Sequence, residues 1–200
     1  LIEANYIEAT IVLSKMDLLS EEEYAKISAY KEDYQNMGYP VITTSSKTED
    51  GVDELLPYLK DCVSVFAGQS GVGKSSLLNA LNPHLELKTD DISMHLGRGK
   101  HTTRHVELIP IEDGLVADTP GFSSLDIEQT SEVIVKENLP FCFPEFSEYL
   151  GKCKFTSCSH TVEKGCCILD ALKDGVIHQS RHNNYVAMYN EVKDLKEWQL

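Results

Sequence analysis

Short apolar runs alternate with helical patterns over the first 140 residues of the chain. The runs are rich in Val, Ile and Thr and are bounded by turn residues, which predicts β-strands. The predicted strands cover residues 10–13, 39–44, 63–67, 106–111 and 115–117. Helices are predicted from about residue 21 and over residues 52–60 and 75–81. Because strands alternate with helices, the pattern predicts an α/β fold with a mostly parallel sheet.

Three local signals refine these elements. Ser20 followed by Glu23 forms a capping box at the start of the first helix. The last two strands flank Glu112-Asp113-Gly114, which predicts a β-hairpin. Pro57 lies inside the predicted helix at residues 52–60, which it is expected to distort.

The pattern changes near residue 140, where the strands stop and Cys, Lys and His accumulate. Two helical patterns follow, at residues 167–174 and 178–197. We therefore predict two domains, an α/β domain over residues 1–145 and a small, mainly helical domain over residues 146–200.

The charged residues are also distributed unevenly between the first 150 residues and the last 50. The chain of 200 residues has 18 Lys and Arg against 32 Asp and Glu, a net charge of −14. Residues 151–200 hold 7 basic and 6 acidic residues, so the first 150 residues hold 11 and 26. Since phosphate contacts require Lys and Arg, only the last quarter is suited to approach a nucleic acid.

No apolar run approaches the about 20 residues that a membrane span needs, and no signal peptide opens the chain. The sequence therefore favours neither a membrane protein nor a secreted one. Leu1 begins inside an amphipathic segment without an initiator Met, so we expect further sequence upstream.

Residues 68–75 read Gly-Gln-Ser-Gly-Val-Gly-Lys-Ser and match the phosphate-binding pattern G-x4-G-K-S between a strand and a helix. In such a loop Lys74 reaches the β- and γ-phosphates and the Ser75 hydroxyl coordinates Mg²⁺. The alternative is a glycine-rich turn that binds nothing. The predicted phosphate-binding residues are Gly68, Gln69, Ser70, Gly71, Val72, Gly73, Lys74, Ser75 and Ser76.

Asp118-Thr-Pro-Gly121 follows an apolar strand, 43 residues after Ser75. A carboxylate at Asp118 can hold Mg²⁺ through water, and the Gly121 N–H can meet a γ-phosphate. Taken alone, this tetrapeptide is an ordinary turn. Its position on a strand next to the phosphate loop favours function.

Ser14-Lys-Met-Asp17 follows the first strand and resembles the N-K-x-D motif that reads guanine in GTPases. There the Asp accepts hydrogen bonds from the base N1–H and exocyclic amine, which adenine does not offer in that arrangement. Thr44-Ser-Ser-Lys47 follows the second strand and resembles the S-A-K loop that supports the base. Each is an ordinary tetrapeptide when taken alone. Together they predict a guanine site formed by Ser14, Lys15, Asp17, Ser45, Ser46 and Lys47.

The order of these motifs is unusual, because the base motifs precede the phosphate loop, whereas in ordinary GTPases they follow it. This order indicates a circular permutation of a P-loop GTPase domain, with residues 53–62 as the junction. A parallel α/β sheet tolerates such a rearrangement when the original termini lie close together.

The last motif is Cys153-x4-Cys158-x-His160-x5-Cys166. Three thiolates and one imidazole suit a tetrahedral structural Zn²⁺ site. The alternatives are free thiols in a core or disulfides, and Cys167 could replace Cys166 as a ligand. The nearby Lys152, Lys154 and Lys164 could contact RNA phosphates or form a solvated rim.

The sequence resembles the RsgA family in a combination of features. They are the motif order, the loop Gly-x-Ser-Gly-Val-Gly-Lys-Ser-Ser-Leu, the segment Gly97-Arg-Gly-Lys-His-Thr-Thr103, the sequence Asp-Thr-Pro-Gly-Phe and the Cys/His cluster. The resemblance covers essentially all 200 residues. It implies a bacterial GTPase that binds the small ribosomal subunit and its rRNA and acts late in its maturation. It also implies a zinc domain, with Cys166 as the fourth ligand, and an N-terminal oligonucleotide-binding barrel that this chain lacks. We predict GTP and GDP as ligands and a cytoplasmic monomer with no membrane association.

By the same resemblance, residues 95–105 form a switch in which Thr103, or alternatively Thr102, supplies a hydroxyl to Mg²⁺ beside Ser75 and Asp118. Phe122 stands where many GTPases place a water-orienting Gln. Because an apolar side chain cannot orient water, we predict His101 in this role. A structural or RNA-contacting role for His101 is the alternative. The predicted catalytic residues are His101, Lys74 and Thr103.

Two other functions are alternatives to GTP hydrolysis. A small-molecule kinase would need an acceptor-binding lid and an Arg cluster, and the sequence shows neither. A zinc-dependent RNA-binding module with a regulatory or vestigial nucleotide site is the second alternative. Intact Lys74, Ser75 and Asp118 favour magnesium-dependent hydrolysis of GTP over a vestigial nucleotide site.

Overall fold

The computed structural model describes residues 2–69, 71–85, 107–118 and 134–195. The chain forms two compact units. The sheet unit comprises Thr10–Glu32 and Pro40–Leu125, and the helical unit comprises Leu1–Ala9, Asp33–Tyr39 and Asp126–Leu200. Two early segments therefore belong to the helical unit, although no sequence pattern marks them. The predicted functional division at residue 145 stays a prediction.

In the described part of the sheet unit, five short strands pair in two sets. β1 (Ile11–Leu13) pairs in parallel with β2 (Val41–Thr43). β3 (Val63–Val65) pairs in parallel with β5 (Gly114–Asp118), which pairs antiparallel with β4 (Glu107–Ile111). The mostly parallel pairing agrees with the sequence. Within the described ranges, β1–β2 and β3–β5–β4 are separate hydrogen-bonded sets.

The helices of the sheet unit begin where local chemistry places them. α1 (Glu21–Asn36) carries the predicted capping box, in which the Ser20 N–H donates to Glu23 Oε2 at 2.9 Å. The predicted helix at residues 52–60 is a 3₁₀ turn at Asp53–Leu55 followed by α2 (Leu56–Leu59). Pro57 lies in the first turn of α2, where its missing N–H removes no helical hydrogen bond.

The core of the sheet unit is built from the strands, the turn and helix at residues 53–59 and a third helix, whereas α1 contributes no buried side chain. α3 (Lys74–Leu81) contributes Leu77 and Leu78, and its predicted position is confirmed to within one residue. The buried side chains that pack together are Ile42, Val52, Leu55, Leu59, Leu77, Leu78, Ile109, Ile111 and Val116. This packing supports the strands that lead into the loops after β1, β2 and β3.

The β4–β5 turn closes against the C-terminal end of α2 at Gly114. A Cβ atom at Gly114 would lie 1.8 Å from the backbone oxygen of Leu59, so only glycine fits without a backbone shift. The neighbouring backbone is fixed by the Leu115 N–H, which donates to the Cys62 oxygen at 3.0 Å. The predicted hairpin is confirmed, and this close approach explains the glycine.

We expect Gly114→Ala to lower the free energy of unfolding by about 1–3 kcal/mol or more, because the chain must shift to admit the methyl group. Urea titration monitored by circular dichroism measures the change. The matched control is Asp113→Ala, which removes only an exposed 3.8 Å ion pair with Lys60, worth about 0–1 kcal/mol. Equal midpoints for the two variants would contradict the close approach.

Over residues 134–195, the described C-terminal part of the helical unit contains two 3₁₀ turns and two α-helices. The turns span Leu139–Cys142 and Pro144–Phe146, and the helices are α4 (Cys167–Lys173) and α5 (Gln179–Val192). Both predicted helices are therefore confirmed, with the second ending earlier than expected. Their apolar side chains form one cluster comprising Leu139, Phe143, Phe146, Cys166, Ile168, Ala171, Ile177 and Tyr185.

A nearly buried ion pair holds α5 in the helical unit. Arg181 donates from Nε to Glu145 Oε1 at 2.6 Å and from a terminal nitrogen to Oε2 at 3.2 Å. The Arg181 guanidinium also lies over the Phe143 ring, 4.8 Å from its centroid. This bidentate pair fixes the position of α5 relative to the turn at Pro144–Phe146. None of the helices in the described ranges is long and apolar enough to cross a membrane.

Candidate functional site

The loop between β3 and α3 is the candidate phosphate site. It follows Val65, the last residue of β3, and ends at Gly73, after which α3 begins with Lys74. A helix that begins this way presents free backbone N–H groups and a partial positive charge. The strand–loop–helix context predicted for this motif is therefore present. Ser70 lies outside the described residues.

Lys74 folds its side chain back over this loop. Its Nζ donates to the backbone oxygens of Gly68 at 2.5 Å and Gln69 at 2.9 Å. The ammonium is thus held at the mouth of the loop, where a phosphate would meet it together with the loop amides. Ser75 and Ser76 lie in the first turn of α3, beside Lys74.

The loop after β1 contacts the phosphate loop directly. Ser14 Oγ donates to the Val72 oxygen at 2.7 Å, and Lys15 Nζ donates to the Gly71 oxygen at 2.5 Å. Serine replaces the asparagine that is usual at this position. Its hydroxyl nevertheless reaches the phosphate loop without an intervening group, so the two motifs lie in direct contact.

The loop after β2 supports the same site through Asp17. Ser45 Oγ donates to Asp17 Oδ1 at 2.7 Å, and the Met16 N–H donates to the Thr44 oxygen at 3.1 Å. Ser45 is 1% exposed, whereas the Asp17 carboxylate is exposed and accessible to a ligand. The buried serine therefore orients an accessible carboxylate, as a base-reading aspartate requires. Ser46 and Lys47 follow in the same loop, with Lys47 exposed.

Gly51 closes this loop, and the sequence patterns did not identify its role. The Ser45 N–H donates to the Asp50 oxygen at 2.9 Å, which folds the loop back on itself. A Cβ at Gly51 would lie 2.1 Å from the Thr43 oxygen, and its φ of +69° also favours glycine. A glycine seven residues after the second predicted strand was the available signal.

β5 brings the third motif to the same edge of its sheet as the phosphate loop. Val65 of β3 lies opposite Ala117 of β5, and the strands are parallel, so their carboxyl ends meet. Asp118 is the last residue of β5, directly after this pair. The predicted His101, Thr103 and Gly121 lie outside the described residues.

The helical unit brings together the four predicted metal ligands. One ligand atom from each of Cys153, Cys158, His160 and Cys166 lies within 4.8 Å of the others. His160 Nδ1 is 3.6 Å from Cys153 Sγ and 3.4 Å from Cys166 Sγ, and the two sulfurs are 3.9 Å apart. Tetrahedral Zn²⁺ would place such sulfurs about 3.8 Å apart and a nitrogen about 3.6 Å from each sulfur. The donor set therefore fits a zinc ion in type and spacing.

Burial shapes the proton affinity of these ligands. It raises the pKa of the Cys158 thiol to about 12, raises that of Cys166 and lowers the pKa of His160. All three shifts disfavour charge in the cluster. A bound cation would reverse this for the thiols, because a coordinating thiol loses its proton.

Cys167 makes a different contact from the four ligands. Its Sγ donates to the Lys152 oxygen at 3.0 Å. Within the described residues the geometric cluster contains Cys166 and not Cys167. Cys166 is thus the better-placed fourth ligand.

Glu163 organises the loop between His160 and Cys166, another role that the sequence did not reveal. Its carboxylate accepts hydrogen bonds from the N–H groups of Ser159, Thr161 and Val162 at 2.8–3.1 Å and from the Ser159 hydroxyl. Partial burial raises the pKa of Glu163, but these donors outweigh it and lower the pKa to about 2. The lowered pKa keeps this carboxylate ionised at neutral pH.

With this geometry in place, comparison with known proteins defines the class. A family model described as RsgA GTPase matches residues 1–128. The chain belongs to the RsgA GTPase family. A Bacillus cereus relative named small ribosomal subunit biogenesis GTPase RsgA is 54% identical over 196 residues. A Bacillus subtilis relative of the same name is 51% identical over 197 residues. The matches cover 98% of this chain but 66% and 65% of those proteins.

Solved structures give the same fold. YjeQ from Thermotoga maritima superposes with a TM-score of 0.79 at 38% identity, covering 98% of this chain and 63% of that one. YloQ, described as a circularly permuted GTPase, gives a TM-score of 0.76 at 43% identity and covers 98% and 60%. The predicted fold class is therefore confirmed: an α/β, circularly permuted P-loop GTPase fold with a mainly helical part carrying a Cys₃His cluster.

Proposed function

We propose that the protein hydrolyses GTP to GDP and phosphate in a magnesium-dependent reaction. One observation carries the proposal: Ser14 and Lys15 of the base motif are hydrogen-bonded to the phosphate loop at Val72 and Gly71. This contact joins a base-reading loop to a phosphate-binding loop, as a single nucleotide site requires. Family membership supports the same activity.

In the proposed reaction the protein positions the triphosphate and neutralises its charge. Lys74 and the loop amides would bind the β- and γ-phosphates, with Gly121 adding an N–H at the γ-phosphate. Ser75, Thr103 and Asp118 would hold Mg²⁺, which neutralises charge on the phosphate oxygens when bound. We assign orientation of the attacking water to His101, in place of the apolar Phe122.

We propose that the small ribosomal subunit and its rRNA are the partners, because the relatives in Bacillus cereus and Bacillus subtilis are named for biogenesis of that subunit. Hydrolysis would be coupled to docking on the subunit and release from it during late maturation. We further propose a monomer that acts in the cytoplasm. The metal at Cys153, Cys158, His160 and Cys166 is proposed to be a structural Zn²⁺, since all four ligands come from the protein.

Base selectivity tests this function at Asp17. We expect Asp17→Asn to lower GTP affinity by about 100-fold or more and to raise affinity for xanthosine triphosphate. The carboxylate accepts from the guanine amine, whereas the new amide would donate to the xanthine 2-oxygen. Competition binding against a fluorescent nucleotide measures both constants. Ser45 Oγ can still donate to the remaining side-chain oxygen, so the loop geometry is retained.

The control for this experiment is Asp194→Asn, which removes an exposed carboxylate from the helical unit. It is expected to leave both affinities unchanged. If Asp17→Asn leaves the ratio of the GTP and xanthosine triphosphate affinities as it is in the wild type, the guanine assignment is wrong.

A further inference from the structure

The backbone at His160 lies in an uncommon conformation. His160 has a φ of +58°, in the left-handed region that residues with a side chain adopt at a cost. Its ring is buried at 6% exposure, and its Nδ1 faces Cys153 and Cys166. The direction of the ring therefore depends on contacts that hold this peptide in place.

Two side chains of α5 hold the oxygen side of this peptide. His182 Nε2 lies 2.8 Å from the His160 oxygen, and the Tyr185 hydroxyl donates to the Ser159 oxygen at 2.9 Å. Because the carbonyl has no proton, His182 must be the donor in its pair. His182 is 5% exposed and Tyr185 is fully buried, so water does not readily replace either donor.

The spacing of the two donors suits one helix face. Residues three apart on a helix lie on the same side, so His182 and Tyr185 reach two consecutive carbonyls together. The opposite side of the segment is held by Glu163, which accepts from the N–H groups of Ser159 and Thr161. Glu163 belongs to the loop itself, whereas the α5 donors come from 22 and 26 residues away along the chain. The α5 contacts therefore join the loop to an element that is distant along the chain.

We propose that His182 and Tyr185 are positioning residues of the metal centre. Their hydrogen bonds to the carbonyl oxygens of His160 and Ser159 hold the His160 ring against the cysteine sulfurs and slow the release of the metal ion. This role rests on the zinc site proposed above and is independent of nucleotide hydrolysis. Residues that orient metal ligands from outside the ligand set commonly change metal affinity by about 10–100-fold when replaced.

The aromatic packing of α5 allows the hydrogen bonds to be tested separately from the core. The Tyr185 ring contacts the rings of Phe143 and Phe146, with centroids 5.3 and 5.0 Å away. Tyr185→Phe keeps this packing and removes only the donor. His182→Phe keeps a ring and removes the donor, whereas His182→Gln places an amide N–H near the position of Nε2 and restores it.

The experiment uses the zinc-loaded protein and its variants at neutral pH. Release of zinc to a chromogenic chelator in excess gives the dissociation rate of the metal. Cobalt replaces zinc in a parallel set, and its visible absorption reports the geometry of the ligands. Tyr189→Phe is the matched control, since Tyr189 lies on α5 next to Tyr185, with ring centroids 6.2 Å apart.

We expect His182→Phe and Tyr185→Phe to release zinc about 10–100-fold faster than the wild type. Both are also expected to shift the cobalt absorption, while Tyr189→Phe changes neither. His182→Gln is expected to restore the slow release, which loss of packing alone would not explain.

Two results would overturn the assignment, and they are distinguishable. Folded His182→Phe and Tyr185→Phe variants that release zinc at the wild-type rate would remove the positioning role and leave the metal site intact. A wild-type protein that retains neither zinc nor cobalt would instead refute the proposed metal site, and the positioning role with it.

Discussion

Replacement of Lys74 by alanine is expected to lower the rate of GTP hydrolysis by about 10²–10³-fold and to weaken GTP binding. The backbone oxygens of Gly68 and Gln69 hold the Lys74 ammonium over the phosphate loop. Among the described residues, Lys15 is the other cationic side chain that contacts this loop. Lys15 is itself hydrogen-bonded to Gly71 as part of the base loop. Steady-state phosphate release at saturating GTP measures the loss.

Lys26→Ala is the matched control for Lys74. Lys26 is an exposed residue of α1 that pairs with Glu22 four residues earlier, at 2.7 Å. Its removal changes the net charge equally but is expected to leave hydrolysis unchanged. If Lys74→Ala and Lys26→Ala hydrolyse GTP equally fast, the phosphate loop is not the site of the reaction.

Loss of the metal is expected to have the largest effect on folding. We expect Cys158→Ala to abolish stoichiometric zinc binding and to unfold the segment around the cluster. Apparent free energies of structural zinc binding are about 10–16 kcal/mol in zinc-finger peptides, comparable with the whole stability of a domain. Metal content and near-ultraviolet circular dichroism, which reports the packing of aromatic side chains such as Tyr185, measure the outcome.

Cys167→Ala provides a close control, because Cys167 adjoins the ligand Cys166 but donates to the Lys152 oxygen instead. It is expected to keep one zinc per chain and a wild-type spectrum. Equal zinc content in the Cys158 and Cys167 variants would contradict the ligand set. Addition of a strong chelator to the wild type should reproduce the effect of Cys158→Ala.

Much of the site follows from short stretches of sequence because its chemistry is local. The phosphate loop depends on consecutive backbone N–H groups, so its glycines and Lys74 identify it wherever a strand precedes and a helix follows. The capping box at Ser20 and the hairpin at Gly114 are similarly local. In each case the contacts that define the element span only a few residues.

Other features depend on contacts between distant residues, which patterns along the chain do not reveal. The Tyr39 hydroxyl donates to Glu3 Oε1 at 2.8 Å, which joins two segments of the helical unit that lie 36 residues apart in sequence. His182 and Tyr185 read as ordinary helical positions until their donors are located on the metal loop. The pairing of five strands into two sheets likewise depends on spatial neighbours rather than on periodicity.

The contact between Ser14 and the phosphate loop illustrates both kinds of feature. The sequence identified the position and its expected partner, but a serine is shorter than an asparagine. Whether it reaches the phosphate loop depends on how closely β1 and β3 bring their loops together. The 2.7 Å contact with the Val72 oxygen shows that the loops are close enough.

The most direct test of the central proposal is steady-state GTP hydrolysis by the purified protein with and without small ribosomal subunits. ATP serves as the control nucleotide and large ribosomal subunits as the control partner. We predict slow hydrolysis of GTP alone, strong stimulation by small subunits and no hydrolysis of ATP. Absence of GTP hydrolysis under every condition would contradict the account and favour an RNA-binding module with a vestigial nucleotide site.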